Sequence, residues 1–232
     1  YLHACITLIF CLISVTKITL TAELLFLPLI AILIMTATYL ISTIIAKLLK
    51  LEQQSKAVFL IATMIMNIGF ITPFVLAIYG EEGIARLSLF DLGNGLITFT
   101  FIYYIACKHG KNKENYTQKS KMIQKFLLAP PLLALIIALI LNTTKTQLPE
   151  TAILLFQLLS NLTIPLILLA LGIYFTPKII KTIPVTTAII TRIFIGLALG
   201  YFFVNIFNLE GLNKMIVLLA SAAPAGYNTI TF

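Results

Sequence analysis

Charged side chains make up only 10% of the 232 residues, against 60% hydrophobic ones, which excludes a soluble globule and implies a polytopic membrane protein. Aspartate occurs once, at Asp91, so an intramembrane aspartyl dyad is impossible. The two histidines, His3 and His109, form no HExxH and neither is placed with a nucleophile. Neither catalytic residues nor a cofactor are therefore expected. Three cysteines, Cys5, Cys11 and Cys107, are an odd number without metal-ligand spacing or a disulfide framework, and read as free thiols with no metal site. The first stretch lacks a basic n-region and a small-residue cleavage site, so a signal peptide is not expected. Even the net charge of +8 does not point to nucleic acid, because the lysines fall in loops between apolar stretches.

What is present is a series of eight apolar spans: 1–15, 24–46, 57–79, 87–107, 126–142, 152–175, 184–207 and 215–232. A basic polar linker, 108–125, divides them into a first half, 1–107, and a second half, 126–232. The loops after spans two, four and six carry three, six and two lysines, eleven together. Those after spans one, three, five and seven carry one basic residue each, Lys17, Arg86, Lys145 and Lys214. The positive-inside rule makes the first group cytoplasmic. Span three then runs outward and span eight inward.

Spans three and eight are both interrupted. In AVFLIATMIMNIGFITPFVLAIYG, residues 57–80, the apolar run contains Asn67, Gly69, Thr72 and Pro73; the run 215–232 contains Pro224, Gly226 and Asn228. Pro73 has no amide hydrogen and crowds the carbonyl of residue 69, so about one turn near it should lose regular hydrogen bonding. Unpaired backbone inside lipid is costly, so such a break persists only where protein buries it or a wet cavity meets it. Paired interruptions in corresponding segments point to a secondary-transporter site. The two are antiparallel and five spans apart, the offset of an inverted repeat of five-helix units. A parent of ten helices is expected, with its first and last helices beyond this sequence. The echo of Thr16-Lys17-Ile18 in Thr176-Pro177-Lys178-Ile179 fits that repeat but is no better than chance alone.

The remaining candidates are polar groups within spans. Asp91, with Asn94 beside it, could take up a coupling proton, or could stay wet or pair with Arg86 near the outer edge. Arg192 is expected to snorkel to the headgroups rather than contact an anion. Asn161 and Pro165 lie midway in span six, where packing is the default reading but the pseudo-symmetric site is close. Gly196 and Gly200 read as a helix-packing pair. Asn67 and Asn228 are the stronger couple, since dipole ends and neutral amides at a broken helix suit a carboxylate.

The segments NIGFITPFVLAIYGEEG, LFDLGN, NLTIPLILLALGIYF and AAPAGYN, in that order, resemble the signature regions of the auxin efflux carrier family, in particular its bacterial carriers of small organic acids. The resemblance covers the family's second to ninth helices. It implies an all-α membrane fold of two inverted five-helix repeats, with Pro73 and Pro224 as crossover prolines and Asn67 as the asparagine before the first. It also implies a scaffold of spans one, five and six that forms homodimers, around a moving core of spans two, three, four, seven and eight. One departure is the six-residue step from Asn67 to Pro73, where the family often has seven, which leaves open the direction Asn67 faces. The expected function is secondary transport of a small organic anion, coupled to protons or sodium, in the plasma (inner) membrane. A sodium-coupled carrier of the bile acid symporter type is the alternative, although none of the seven glutamates lies mid-span. A passive channel or a membrane enzyme belongs to other classes.

Overall fold

The computed structural model describes residues 22–102, 104–106, 149–162 and 182–226, with isolated positions at 137, 140, 141, 143, 144, 165, 169, 172 and 173. Span one, the linker 108–125, most of span five, most of the second half of span six, the echoed segments 16–18 and 176–179, the three cysteines and Asn228 lie outside the described residues. Among the described residues the protein is all-helical apart from one isolated antiparallel bridge. A 3-10 turn (Ala22–Leu25) leads into α1 (Phe26–Leu48), followed by α2 (Gln53–Met64) and α3 (Ile68–Ile97), which runs on as a π-helical turn, Thr98–Ile102. Then come α4 (Glu150–Asn161), α5 (Thr182–Ile190), a second π-helical turn (Thr191–Ile195), α6 (Gly196–Ile206) and α7 (Gly211–Ser221).

Three helical stretches among these residues are long and apolar enough to cross a membrane: Glu23–Leu48, Ile68–Ala106 and Thr182–Ile206. The middle one has 39 residues. As a straight rod it would measure about 58 Å, twice the roughly 30 Å of a hydrocarbon core. It folds back at Gly80, whose φ of 61° and ψ of −154° only glycine adopts cheaply. The reversal brings Asn94 back beside Met66, each fourteen residues from Gly80. Spans three and four are therefore the two arms of one hairpin.

α2 and α7 are too short to cross alone, with 12 and 11 residues, or about 18 and 16 Å. Each is half a span, entered through the same kind of corner. α1 ends at the left-handed residue Lys50 (φ 50°) and α6 at Asn208 (φ 48°). The next amide reaches back to the helix in both, Leu51 to Ala46 O at 3.1 Å and Leu209 to Val204 O at 3.0 Å. Glu52 and Glu210 then turn extended and start the half-helices, with the Lys56 and Lys214 amides on their carbonyls.

The core joins Leu27, Ile30, Ile34 and Met35 of α1 to Ile61 and Met64 of α2, Val75, Ile84, Leu87 and Phe90 of α3, Val204 of α6, and Ile216, Val217 and Ala220 of α7. Leu40, Ile44, Phe74, Ile78, Phe194 and Phe202 are exposed on the outside. In a membrane protein such a greasy exterior faces lipid. Inside lies an unusual concentration of buried polar residues: Thr63, Asn67, Asn94, Thr98, Thr191, Arg192 and Ser221.

Candidate functional site

Those polar residues surround the point where α2 and α7 stop. Met66 and Ala225 form the antiparallel bridge. The Asn67 amide donates to Pro224 O and the Gly226 amide to Ile65 O, both at 3.0 Å. In this register the N–H and C=O of Met66 point away from Ala225. They meet the side chain of Asn94, whose Oδ1 accepts from Met66 N and whose Nδ2 donates to Met66 O, each at 3.3 Å. A carboxamide has the donor and acceptor of a peptide group, so Asn94 serves as a third strand one residue long. Its Nδ2 also donates to Asp91 Oδ1 at 2.8 Å.

The unwound segment lies at Ile65–Asn67, not at Pro73. Pro73 is the sixth residue of α3, well inside the helix, where it is half-buried. The ladder is interrupted earlier because residues 65–67 have partners across the chain that a helix would deny them. Asn67 is 6% exposed and begins α3: its Oδ1 accepts from the Phe70 amide at 3.1 Å, and its Nδ2 donates to Ala225 O at 3.3 Å. Replacing Asn67 with alanine should remove both bonds and cost about 1–2 kcal/mol, lowering the melting temperature of the detergent-solubilised protein by a few degrees. Gly69 is half-buried in the first turn, and Thr72 is buried with its hydroxyl donating to Ile68 O at 2.9 Å. At Gly226 a Cβ would run into the Ile65 side chain, so only glycine lets the two segments pair.

Arg192 does not snorkel. It is 1% exposed, on the π-helical turn between α5 and α6, and all its partners among the described residues are carbonyl oxygens. Nε donates to Ala223 O (3.2 Å), Nη1 to Thr63 O (3.0 Å) and Met64 O (3.3 Å), and Nη2 to Ser221 O (2.5 Å). Thr63, Met64 and Ser221 give the last carbonyls of α2 and α7, which have no partners within their helices, and Ala223 lies just beyond the end of α7. Each helix end is equivalent to roughly half a negative charge, so the two ends together match one guanidinium. Gly196 makes room for it: a Cβ there would meet Arg192 Nη2 and Ser221 O. Gly196 and Gly200 do pack α6 on α7, and they also clear the space the arginine fills.

Arg86, offered by the sequence as a partner for Asp91, is engaged elsewhere. It pairs with Glu82 Oε1 at 2.9 Å and donates through Nε to Asn213 Oδ1 at 2.8 Å, while Asn213 Nδ2 donates to Glu23 Oε2 at 3.3 Å. Glu82, Asn213 and Glu23 lie at three of the four loops that the charge count puts outside, and they meet through Arg86 in one cluster. Asn161 closes α4, Pro165 is exposed, and Asn228 is not among the described residues. The described residues contain no group of His, Cys, Asp or Glu able to hold a metal ion.

A family model described as "Membrane transport protein" matches residues 7–232. An uncharacterized transporter of Methanocaldococcus jannaschii is 30% identical over 188 residues, covering 78% of this chain. The match takes in 59% of that relative's length.

Proposed function

Since the chain belongs to the Membrane transport protein family, that of the auxin efflux carriers, we propose that it carries a small organic anion by secondary active transport. The family and the apolar helices make it an integral, multi-pass membrane transporter. The observation that carries the finer reading is the meeting of α2 and α7 at the Met66–Ala225 bridge, deep among buried residues. With Arg192 matching the two carboxyl ends and Asp91 holding a proton, the amino end of α3 leaves a surplus of about half a positive charge. That surplus favours an anion weakly, and weak binding permits release.

In this reading Asn67, Gly69, Thr72, Pro73, Pro224, Gly226, Asn228 and Asn161 line or shape the substrate site. The like corners at Lys50 and Asn208 support two inverted repeats, residues 1–107 and 126–232. The core of spans two, three, four, seven and eight moves like an elevator against a dimeric scaffold. Cargo must stabilise inward and outward states to similar degrees, because a strong preference for one would trap it. Asp91 is the coupling-proton candidate, since its carboxylate reaches Met66 through the single side chain of Asn94.

Uptake of labelled small carboxylates into proteoliposomes tests the reading. Asn67→Ala should cut initial rates at least about tenfold, the loss of one charge-assisted bond, while Pro73→Ala, inside an intact helix, should do less. Unchanged transport in Asn67→Ala would remove the Asn67 side chain from the substrate site. Asp91→Asn should retain exchange but lose its response to an imposed pH gradient; a full response in that variant would eliminate Asp91 as the proton site.

A further inference from the structure

We propose that Arg192 is a resident cation, filling a cage of carbonyls at the facing ends of α2 and α7 that becomes a site for a small monovalent cation when the arginine side chain is removed. The cage consists of Thr63 O and Met64 O from the end of α2 and of Ser221 O and Ala223 O from the end of α7 and the residues just past it. Converging carbonyls at half-helix carboxyl ends are how membrane proteins hold alkali cations. Here the guanidinium uses four of its five N–H groups on those oxygens, and among the described residues no carboxylate lies within ion-pair distance. Its charge is balanced by helix ends alone. Because guanidinium stays charged in proteins, this cation cannot leave, and the facing ends stay together without an ion from solution.

The covalent link has a second consequence. Arg192 belongs to the π-helical turn of span seven, so it fastens the α5–α6 helix to both broken spans at one point. A π-helical turn places one extra residue in the helix, and such turns recur at functional positions. Arg192 is thus a positioning residue, acting through the backbone of the two half-helices.

The inference stands on the carbonyl cage and not on any cargo, so its failure would leave the carrier reading intact. The test is the melting temperature of the purified full-length protein in detergent, in choline chloride and with sodium, potassium or guanidinium chloride at equal ionic strength. The wild type should melt at one temperature in all four. Arg192→Ala should melt roughly 5–10 °C lower in choline, and low millimolar guanidinium or sodium should restore part of that loss with a saturable dependence. Arg192→Lys, which keeps an ammonium in the cage, should fall between and show no saturable response. A wild type saturably stabilised by sodium, an alanine variant that melts like the wild type or is rescued by no cation, or a lysine variant rescued as alanine is would each overturn the proposal. If the alanine variant yields no folded protein, the wild-type and lysine arms still decide.

Discussion

Leucine in place of Gly196 is expected to prevent folded protein from accumulating. The first added carbon already meets Arg192 Nη2 and the backbone oxygen of Ser221. Backbone cannot swing aside, so either α6 must move off α7 or the guanidinium must leave its four carbonyls. Overpacking alone costs about 1–3 kcal/mol, and expelling a buried charge from its partners about 3–5 kcal/mol more. Together these approach the whole stability of an ordinary domain. Gly200→Ala supplies the contrast, because its Cβ would crowd only the Oγ and Cβ of Ser221, with no backbone atom and no charge in the way: Oγ can rotate, and a small shift of α6 relieves the rest. That variant should fold, with a loss of about 1–3 kcal/mol. Size-exclusion yield after membrane extraction separates the two: a monodisperse peak for Gly196→Leu as large as for Gly200→Ala would show that the packing around Arg192 is loose.

The helical layout was largely legible because it rests on length and hydropathy. Span seven, expected at 184–207, is a helical stretch over 182–206, and the boundary between spans three and four falls at Gly80, within the gap the sequence left. Interactions between distant residues were not legible. Pro73 drew the break toward itself, whereas the chain unwinds at Ile65–Asn67 because Pro224, Gly226 and Asn94 offer partners there, and pairing across 28 or more residues leaves no local trace. The role of Arg192 is hidden from the sequence for a related reason. Its partners are carbonyl oxygens, which every residue has, so no complementary acid marks the site. The spacing Arg192-x-x-x-Gly196-x-x-x-Gly200 was the available signal, room on one helix face beside a charge. A second signal is a local repeat: Leu51-Glu52 followed by Lys56 matches Leu209-Glu210 followed by Lys214, and both triplets form the same corner.

Substituting Asn94 with leucine should damage both stability and transport, and it distinguishes the two roles open to the Asp91–Asn94 pair. Leucine is branched at the same atom and larger, so water gains no space to replace the lost amide. The N–H of Met66, buried at 2% exposure, is then left bare, its C=O keeps only the Ile68 amide, and the Asp91 carboxylate loses the Asn94 donor. Buried groups stripped of partners cost about 1–3 kcal/mol each without adding fully, so a total of about 4 kcal/mol and a melting temperature lower by roughly 8–16 °C are expected. Transport should fall by at least about a hundredfold, since a barrier higher by some 3 kcal/mol gives that factor. Asp91→Asn removes the charge but keeps an oxygen for Asn94 Nδ2, so its melting temperature should stay within a few degrees of wild type. If Asn94→Leu melts normally, Asn94 is not the third strand of the bridge. If instead Asp91→Asn melts as low as Asn94→Leu, the carboxylate itself holds the bridge together, and a proton arriving there would unfold the site rather than gate it.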